Sequence, residues 1–286
     1  MSVSRTAQYV AFYRALESIE RHRAPLFDDP FATAFVPSNL RSMLRVARVP
    51  FAHKLLSRYA DRRAPGARTS AIARTRFIDD VVRSRVDAGV RQLVILGAGF
   101  DCRAHRLQEL RDTTVFEVDR ADTQRAKREA VARMPNARTD VIYVAVDFER
   151  DVLAERLAVA GWDADQPTTF IWEGVTNYLV ESAVADVLSQ IGTSALGSAV
   201  VFTYIHKGLL DGTAYFEGGE LMMQNVKTLG EPWRFGLYPE SVASFLAPFG
   251  LALRENLGAD EYRARYLPAS DARGYAFYRI AVAERG

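Results

Sequence analysis

Between residues 91 and 205 the chain alternates short apolar runs with longer stretches whose apolar positions recur at a helical period. Runs of this length, separated by helical stretches, are typical of parallel strands that helices cover on both faces. The predicted strands are 92–96, 114–118, 141–146, 169–173 and 198–205, and the predicted helices are 103–110, 121–133, 149–160 and 181–192. The pattern therefore predicts an α/β fold with a mostly parallel sheet.

The two ends of the chain follow other patterns. Residues 1–90 show helical periodicity alone, with helices expected near 6–21, 40–59 and 69–87, and we expect them to form an N-terminal helical cap. Residues 91–286 are expected to form the catalytic domain, in one structural unit with the cap. Two late strands, 251–256 and 275–283, have only a predicted loop between them, so they are expected to pair antiparallel.

Residues 206–237 interrupt the alternation of strands and helices. This stretch contains six glycines, with aromatic and methionine residues between them. We interpret it as an insertion that covers the mouth of a pocket, a lid. Its aromatic residues Tyr215, Phe216 and Trp233 either line that pocket or pack within the insertion.

The composition excludes several classes of function. Of the 286 residues, 49% are hydrophobic and 25% are charged, as is ordinary for a soluble enzyme. The net charge of +2 is too small to indicate nucleic-acid binding. No apolar run approaches the roughly 20 residues that span a bilayer, and the first residues do not resemble a signal peptide. We therefore expect neither a nucleic-acid nor a membrane partner.

Cysteine and histidine usage adds two expectations. The single cysteine, Cys102, allows no internal disulfide and favours a reducing compartment, the cytoplasm. The four histidines do not cluster at the spacing of metal ligands, so we expect no metal site. They are His22, His53, His105 and His206.

A glycine turn follows the first predicted strand. Gly97 and Gly99 allow the backbone to turn sharply and to approach a ligand closely, and Asp119 ends the second strand 20 residues beyond Gly99. This arrangement is typical of a nucleoside pocket, in which the acid binds the ribose hydroxyls. It suits a nicotinamide or flavin dinucleotide and S-adenosylmethionine alike.

Two residues of the turn favour S-adenosylmethionine. The third glycine of a dinucleotide fingerprint is replaced by Cys102, and Asp101 places a negative charge where a diphosphate would bind. A cationic sulfonium ligand meets no such repulsion. A nicotinamide-dependent oxidoreductase remains the alternative.

Carboxylates follow three successive predicted strands. They are Asp119, Asp147 and Glu173, and Phe148 comes directly after Asp147. Because ligands bind at the carboxyl ends of strands in an open α/β sheet, these residues are candidates for one site. Asp147 with Phe148 suits an adenine ring, and Glu173 suits an ammonium group.

Segments spread from residue 4 to about 180 make a resemblance specific. They are Ser4–Ala7, Leu26–Ala32, Ala73–Asp79, Leu96–Arg103, Glu117–Asp119, Val146–Phe148 and Glu173–Leu179. Through them the chain resembles the leucine carboxyl methyltransferase family, especially its bacterial branch. The resemblance implies a class I methyltransferase fold, Rossmann-like with an antiparallel last strand, and S-adenosylmethionine as methyl donor.

The same resemblance implies roles for single residues. The glycine turn, with Gly97, Ala98 and Gly99, would contact the methionine part of the donor, and Glu173 its amino end. Asp119 would bind the ribose, and Asp147 with Phe148 the adenine. Arg74 resembles an arginine that reaches a carboxylate from the N-terminal helices, and Tyr178 resembles a tyrosine on the substrate side.

The acceptor is the open question at this point. A carboxylate needs no deprotonation at neutral pH, so catalysis would consist mostly of positioning, in which Arg74 and Tyr178 would steer the nucleophile. A phenol would benefit from a general base, and His206, at the end of an apolar run, is the candidate. We expect O-methylation of a small molecule or a peptide, a biosynthetic intermediate of secondary metabolism.

Overall fold

The computed structural model describes residues 5–269 and 273–286. Ser4, the first residue of the first segment that carries the resemblance, lies outside these ranges. In the described part of the chain, no helix is both long enough and apolar enough to cross a membrane.

Four α-helices precede the first strand. They are α1 (Arg5–Ser18), α2 (Ser38–Val46), α3 (Pro50–Arg63) and α4 (Ala67–Asp87). The single helix expected over 40–59 is therefore wrong, because a break separates α2 from α3. Pro50 lacks a backbone N–H and so cannot continue α2, but it fits the first position of α3.

The strands form one sheet in the order β3-β2-β1-β4-β5-β8-β7, and β6 pairs with β5 off this path. Their bounds are β1 (Gln92–Leu96), β2 (Thr114–Asp119), β3 (Ile142–Ala145), β4 (Thr168–Trp172), β5 (Ala199–His206), β6 (Gly236–Leu237), β7 (Leu251–Leu257) and β8 (Tyr278–Arg285). Strands β1 to β5 run parallel, and β8 is antiparallel to both of its neighbours. The predicted α/β fold with an antiparallel last strand is confirmed.

Eight further α-helices follow β1 in the described part of the chain. They are α5 (Arg103–Arg106), α6 (Ala121–Val131), α7 (Leu153–Val159), α8 (Glu181–Ile191), α9 (Lys207–Leu210), α10 (Gly219–Thr228), α11 (Val242–Leu246) and α12 (Ala259–Tyr266). Side chains of β1 alternate between two apolar clusters, with Val94 on one face and Leu93 on the other. Because both faces are buried, the strand reads as a continuous apolar run.

The connection between β7 and β8 differs from the expectation. It contains α12, where a loop alone was expected. The helix begins where Glu261 accepts a hydrogen bond from the backbone N–H of Gly258 at 3.0 Å, and it buries Tyr262 in the cluster that also holds Phe77 of α4. Few apolar residues mark this short, charged helix, so its periodicity is weak.

Helices α9 and α10 lie within 206–237, the predicted lid. The stretch is tied to the start of α1, because the Thr6 hydroxyl donates a hydrogen bond to Glu231 Oε2 at 2.8 Å. The division into a cap of residues 1–90 and a catalytic domain of residues 91–286 stays a prediction.

Candidate functional site

The glycine turn at the end of β1 is built on left-handed backbone. Gly97 has a φ of +64° and Gly99 a φ of +44°. A Cβ on Gly97 would lie 2.2 Å from Cγ2 of Val175, so no side chain fits there. The Asp119 carboxylate accepts a hydrogen bond from the Gly99 N–H at 2.6 Å, and this acid thereby holds the turn in place.

Sheet order brings the predicted donor residues into one row. Asp147, Asp119, the glycine turn and Glu173 follow β3, β2, β1 and β4, which are neighbours in that order. Three steps between strands of about 4.8 Å each give a row about 14 Å long. Burial raises the pKa of Asp119 above its usual value.

A cavity of about 500 Å³ opens beside this row, between the glycine turn, the N-terminal helices and the lid. Such a volume is typical of small-molecule sites. Of the predicted site residues, Arg74, Gly97, Ala98, Gly99, Glu173 and Tyr178 line it. The predicted lid contributes Met222, Asn225, Val226, Thr228, Leu229 and Trp233 to its wall. Asp119, Asp147, Phe148 and His206 are not among the lining residues.

Glu173 does not offer a free negative charge to the cavity. Arg74 Nε donates to its Oε1 at 2.8 Å, and Arg103 Nη1 donates to its Oε2 at 3.0 Å. Burial by itself would raise the pKa of Glu173, but the two arginines outweigh burial and hold this pKa below its usual range. The expected contact of Glu173 with an ammonium group stays a prediction, for a carboxylate that two arginines already hold in place.

The pairs belong to a longer buried array, which we call the arginine–carboxylate chain. It joins Arg14, Asp29, Arg106, Asp79, Arg103, Glu173 and Arg74 through successive ion pairs, and Asp101 pairs with Arg103 as a branch. Four arginines face four acids, so the formal charge of the chain is zero. It connects α1 and α4 to the turn after β1 and to the end of β4.

Asp101 is neutralised within this array. Its carboxylate pairs with the Arg103 guanidinium and accepts the Arg103 backbone N–H at 2.7 Å. Although burial opposes it, Arg103 lowers the pKa of Asp101. Asp101 therefore does not repel a diphosphate as expected from the sequence, because a paired acid exerts little net repulsion.

Tyrosines complete the wall near Arg74. The Arg74 guanidinium carbon lies 4.4 Å from the ring centroid of Tyr278, a cation–π contact. Tyr178 ends a short 3-10 helix after β4, and burial raises its pKa to about 12. Tyr13 is similar, with a pKa raised to about 12 mainly by burial. The hydroxyls of Tyr13 and Tyr178 therefore stay protonated at neutral pH.

His206 lies away from the cavity. Its Nδ1 accepts a hydrogen bond from the Gly208 N–H at 3.0 Å, and its ring packs 4.9 Å from that of Phe216. The side chain caps the start of α9. It is therefore not placed to act as the general base considered from the sequence.

Several residues of the site were not predicted from the sequence. Arg103 and Asp79 received no role, although both stand in segments that carry the resemblance, and Tyr278 lies outside those segments. Elsewhere in the described residues, His22 and His53 lie side by side, with ring centroids 6.2 Å apart, and the expectation of no metal site stays a prediction. Their separation of 31 positions hid this contact.

Comparison with known proteins identifies the family of this chain. The model of the family described as leucine carboxyl methyltransferase matches residues 7–192. A protein of Frankia alni named as an S-adenosyl-L-methionine-dependent methyltransferase is 38% identical over 72% of this chain and 70% of its own length. A similarly named protein of Streptomyces coelicolor is 40% identical over the same shares.

Solved structures show the same fold. A crystal structure of a DUF574-family protein from Streptomyces avermitilis superposes with a TM-score of 0.61 at 14% identity, covering 96% of this chain and 97% of its own. A structure from Thermobifida fusca, described as a methyltransferase, gives 0.58 at 18% identity, covering 96% and 94%. From the match to the family model and the identity with these relatives, the chain belongs to the leucine carboxyl methyltransferase family and is an S-adenosylmethionine-dependent methyltransferase.

Proposed function

We propose that the protein transfers a methyl group from S-adenosylmethionine to a carboxylate of a small molecule or a peptide, a biosynthetic intermediate. One observation carries the proposal. Among the described residues, the lining of the cavity combines unpaired arginines and protonated tyrosine hydroxyls with no unpaired base. An acceptor that is already anionic and nucleophilic matches such a lining.

Arg5 and Arg63 supply the positive charge. Both line the cavity, and within the described ranges neither forms an ion pair or a hydrogen bond. Arg14 and Arg74 also line it, but their charges are compensated within the arginine–carboxylate chain. Arg5 and Arg63 therefore give the residues that line the cavity a net positive charge, which favours an anionic acceptor.

The acids of the lining are poorly suited to remove a proton. Asp101 and Glu173 both pair with arginines, and the pKa of each lies below its usual range. A phenol would need a base of higher pKa near the reacting oxygen. A carboxylate needs none, because it is ionised at neutral pH. For this reason we favour the carboxylate over the phenol.

The row along the sheet edge fits the donor. S-adenosylmethionine supplies a methyl group that is already activated on a sulfonium. We propose that Gly97, Ala98 and Gly99 contact its methionine part, that Asp119 binds the ribose and that Asp147 with Phe148 binds the adenine. Glu173 would accept a hydrogen bond from the amino group of S-adenosylmethionine. Arg74 would bind the carboxylate of S-adenosylmethionine while holding Glu173 in place.

The remaining residues position the acceptor. Tyr178 donates a hydrogen bond to the acceptor, and the lid of residues 206–237 excludes water above it, while the helices of residues 1–90 cap the cavity. Orientation of the two reactants contributes about 7–11 kcal/mol in favourable cases, so a reaction without a base can still be fast.

Labelled donor tests the proposal. The protein is incubated with methyl-labelled S-adenosylmethionine and two panels of acceptors, carboxylic acids and phenols, and each product is treated with mild alkali. A methyl ester releases labelled methanol, whereas an aryl methyl ether keeps its label. Alkali-stable label on phenols alone would contradict a carboxylate acceptor.

A double variant adds a matched control. Arg5→Met with Arg63→Met should raise KM for the acid acceptor about 10-fold or more, with binding of S-adenosylhomocysteine unchanged. Arg254→Met, which removes an exposed arginine paired with Glu284 outside the cavity and the lid, should change neither.

A further inference from the structure

Three potential metal ligands lie close together between the end of α1 and the start of α3, outside the site described above. One ligand atom from each of Glu20, His22 and His53 lies within 4.8 Å of the others. His53 is buried in the first turns of α3, whereas Glu20 and His22 belong to the segment just after α1. Two imidazoles with one carboxylate form a donor set that suits Zn²⁺ and disfavours Mg²⁺.

The hydrogen bonds of the two histidines leave one ring nitrogen of each available. His53 Nε2 lies 3.1 Å from the carbonyl oxygen of Leu16, and His22 Nε2 lies 2.9 Å from that of Pro50. Because a carbonyl only accepts, both Nε2 atoms carry the proton. The Nδ1 atom of a neutral ring then keeps its lone pair.

This pattern is the usual support of a metal-binding histidine. Such a residue donates its other ring N–H to a backbone carbonyl or a carboxylate, which fixes the tautomer and the ring orientation. Neither Nδ1 atom forms a hydrogen bond within the described ranges, and that of His53 stands 3.7 Å from Glu20 Oε2.

Glu20 is held in place by the backbone. Its Oε1 accepts from the N–H groups of Arg21 and His22, both at 2.7 Å. These bonds leave Oε2, the oxygen that faces His53, free to bind a cation. One carboxylate oxygen thus orients the side chain and the other is a potential ligand.

We propose that Glu20, His22 and His53 form a Zn²⁺ site, with water as the fourth ligand. Donor atoms around tetrahedral Zn²⁺ lie about 3.3 Å apart, since each bond is about 2.0–2.1 Å long. The pair of Glu20 and His53 is already close to this separation. His22 completes the set, since one of its ligand atoms lies within 4.8 Å of those of Glu20 and His53.

The site connects two helices that reach the cavity. It lies at the carboxyl end of α1 and near the start of α3, while Tyr9 of α1 and Arg63 of α3 line the cavity at other points. Bound Zn²⁺ therefore links the end of α1 to the start of α3. It stabilises the folded state because it binds that state alone.

Zinc titration of the full chain without an affinity tag tests the site. After dialysis against a chelator, we expect one Zn²⁺ per chain by competition with a chromophoric chelator, and a rise in Tm of about 5 °C at a hundredfold excess over Kd. Mg²⁺ should give no shift. Co²⁺ should give the visible d–d bands of a tetrahedral site with nitrogen ligands.

His22→Ala is the decisive variant, because this exposed side chain can be removed without opening the core. It should weaken Zn²⁺ binding about 100-fold, with an unchanged circular dichroism spectrum and an unchanged Tm in the absence of metal. His206→Ala, which alters a histidine elsewhere, should bind as the original chain does. Absence of stoichiometric binding, or binding that His22→Ala leaves intact, would overturn the proposal.

Discussion

The Arg103 guanidinium donates to the Glu173 carboxylate across 3.0 Å, although the two residues stand 70 positions apart. This bond joins the first residue of α5 to the residue after β4. Arg103 also pairs with Asp79 and Asp101, so one buried cation contacts three acids, and Arg74 and Arg106 share in compensating their charge. We infer that Arg103 holds the parts of the site together.

Replacement of Arg103 by Met should destabilise the protein strongly. Asp101 loses its direct ion-pair partner, and removal of one member of a buried ion pair typically costs about 3–5 kcal/mol. Chemical unfolding measures the loss. The control is Arg273→Met, whose exposed pair with Glu217 contributes less than about 1 kcal/mol. Equal effects of the two substitutions would show that the buried array has no special role.

Gly97→Ala should cost more than another glycine-to-alanine change of similar backbone geometry. Both Gly97 and Gly161 have positive φ, and an alanine there pays about 1–2 kcal/mol of left-handed strain. Only at Gly97 does the new Cβ meet another atom, at 2.2 Å from Val175, and such overpacking adds about 1–3 kcal/mol.

Thermal unfolding and calorimetry with S-adenosylhomocysteine distinguish the two glycines. Gly161→Ala should bind S-adenosylhomocysteine normally, since nothing lies within 4 Å of its added Cβ. Gly97→Ala should bind it weakly. If both variants bound it equally well, the turn would not contact the donor.

Because the His105 side chain is buried, we expect the folded protein to lose stability in weak acid. Burial lowers the pKa of His105 to about 4, and neither ring nitrogen has a hydrogen-bond partner among the described residues. Between pH 6.5 and 4 the unfolded chain binds a proton that the folded chain does not. Stability from this residue is therefore full above pH 6.5 and declines as the pH falls through that range.

From pH 7 to pH 5 the expected loss at His105 is about 2 kcal/mol. The free energy of unfolding at both pH values is compared with that of His105→Phe, a variant with an uncharged ring beside Phe31. Between pH 7 and pH 5, the variant should lose about 2 kcal/mol less stability than the original protein. An identical loss in both proteins would assign the acid sensitivity to other groups.

Thr6→Val should loosen the lid and leave the core intact. It removes the hydroxyl that donates to Glu231 at 2.8 Å and keeps a side chain of the same shape. Amide hydrogen exchange should speed up in residues 219–233, with a Tm within about 2 °C of the original. Thr228→Val, whose hydroxyl bonds within its own helix, is the control. Unchanged exchange would mean that this bond does not hold the lid.

The sequence predicted the features that depend on local pattern. Apolar runs gave the strands of the sheet, and the glycines of the turn marked the edge where the donor residues gather. Helix α12 was not predicted because its amphipathic pattern is weak. The break before Pro50 was not predicted either, although proline is a strong signal for the end of a helix.

Side-chain direction was the part that local pattern could not predict. His206 stands at a strand end as expected, yet its ring turns to cap α9, away from the cavity. The partners of Glu173 come from α4 and from the turn after β1, so only tertiary packing determines them. The contact of His22 with His53 depends in the same way on how α1 packs near α3.

The place of β8 in the sheet has a consequence for biosynthesis. This strand lies between β5 and β7, yet it follows both of them in the sequence. As a ribosome delivers the chain from its N-terminus, β5 is made about 70 residues before the strand that completes its edge. Until β8 arrives, this edge of the parallel sheet stays exposed to pairing with other chains. Newly made molecules are therefore vulnerable to aggregation until β8 has been synthesised.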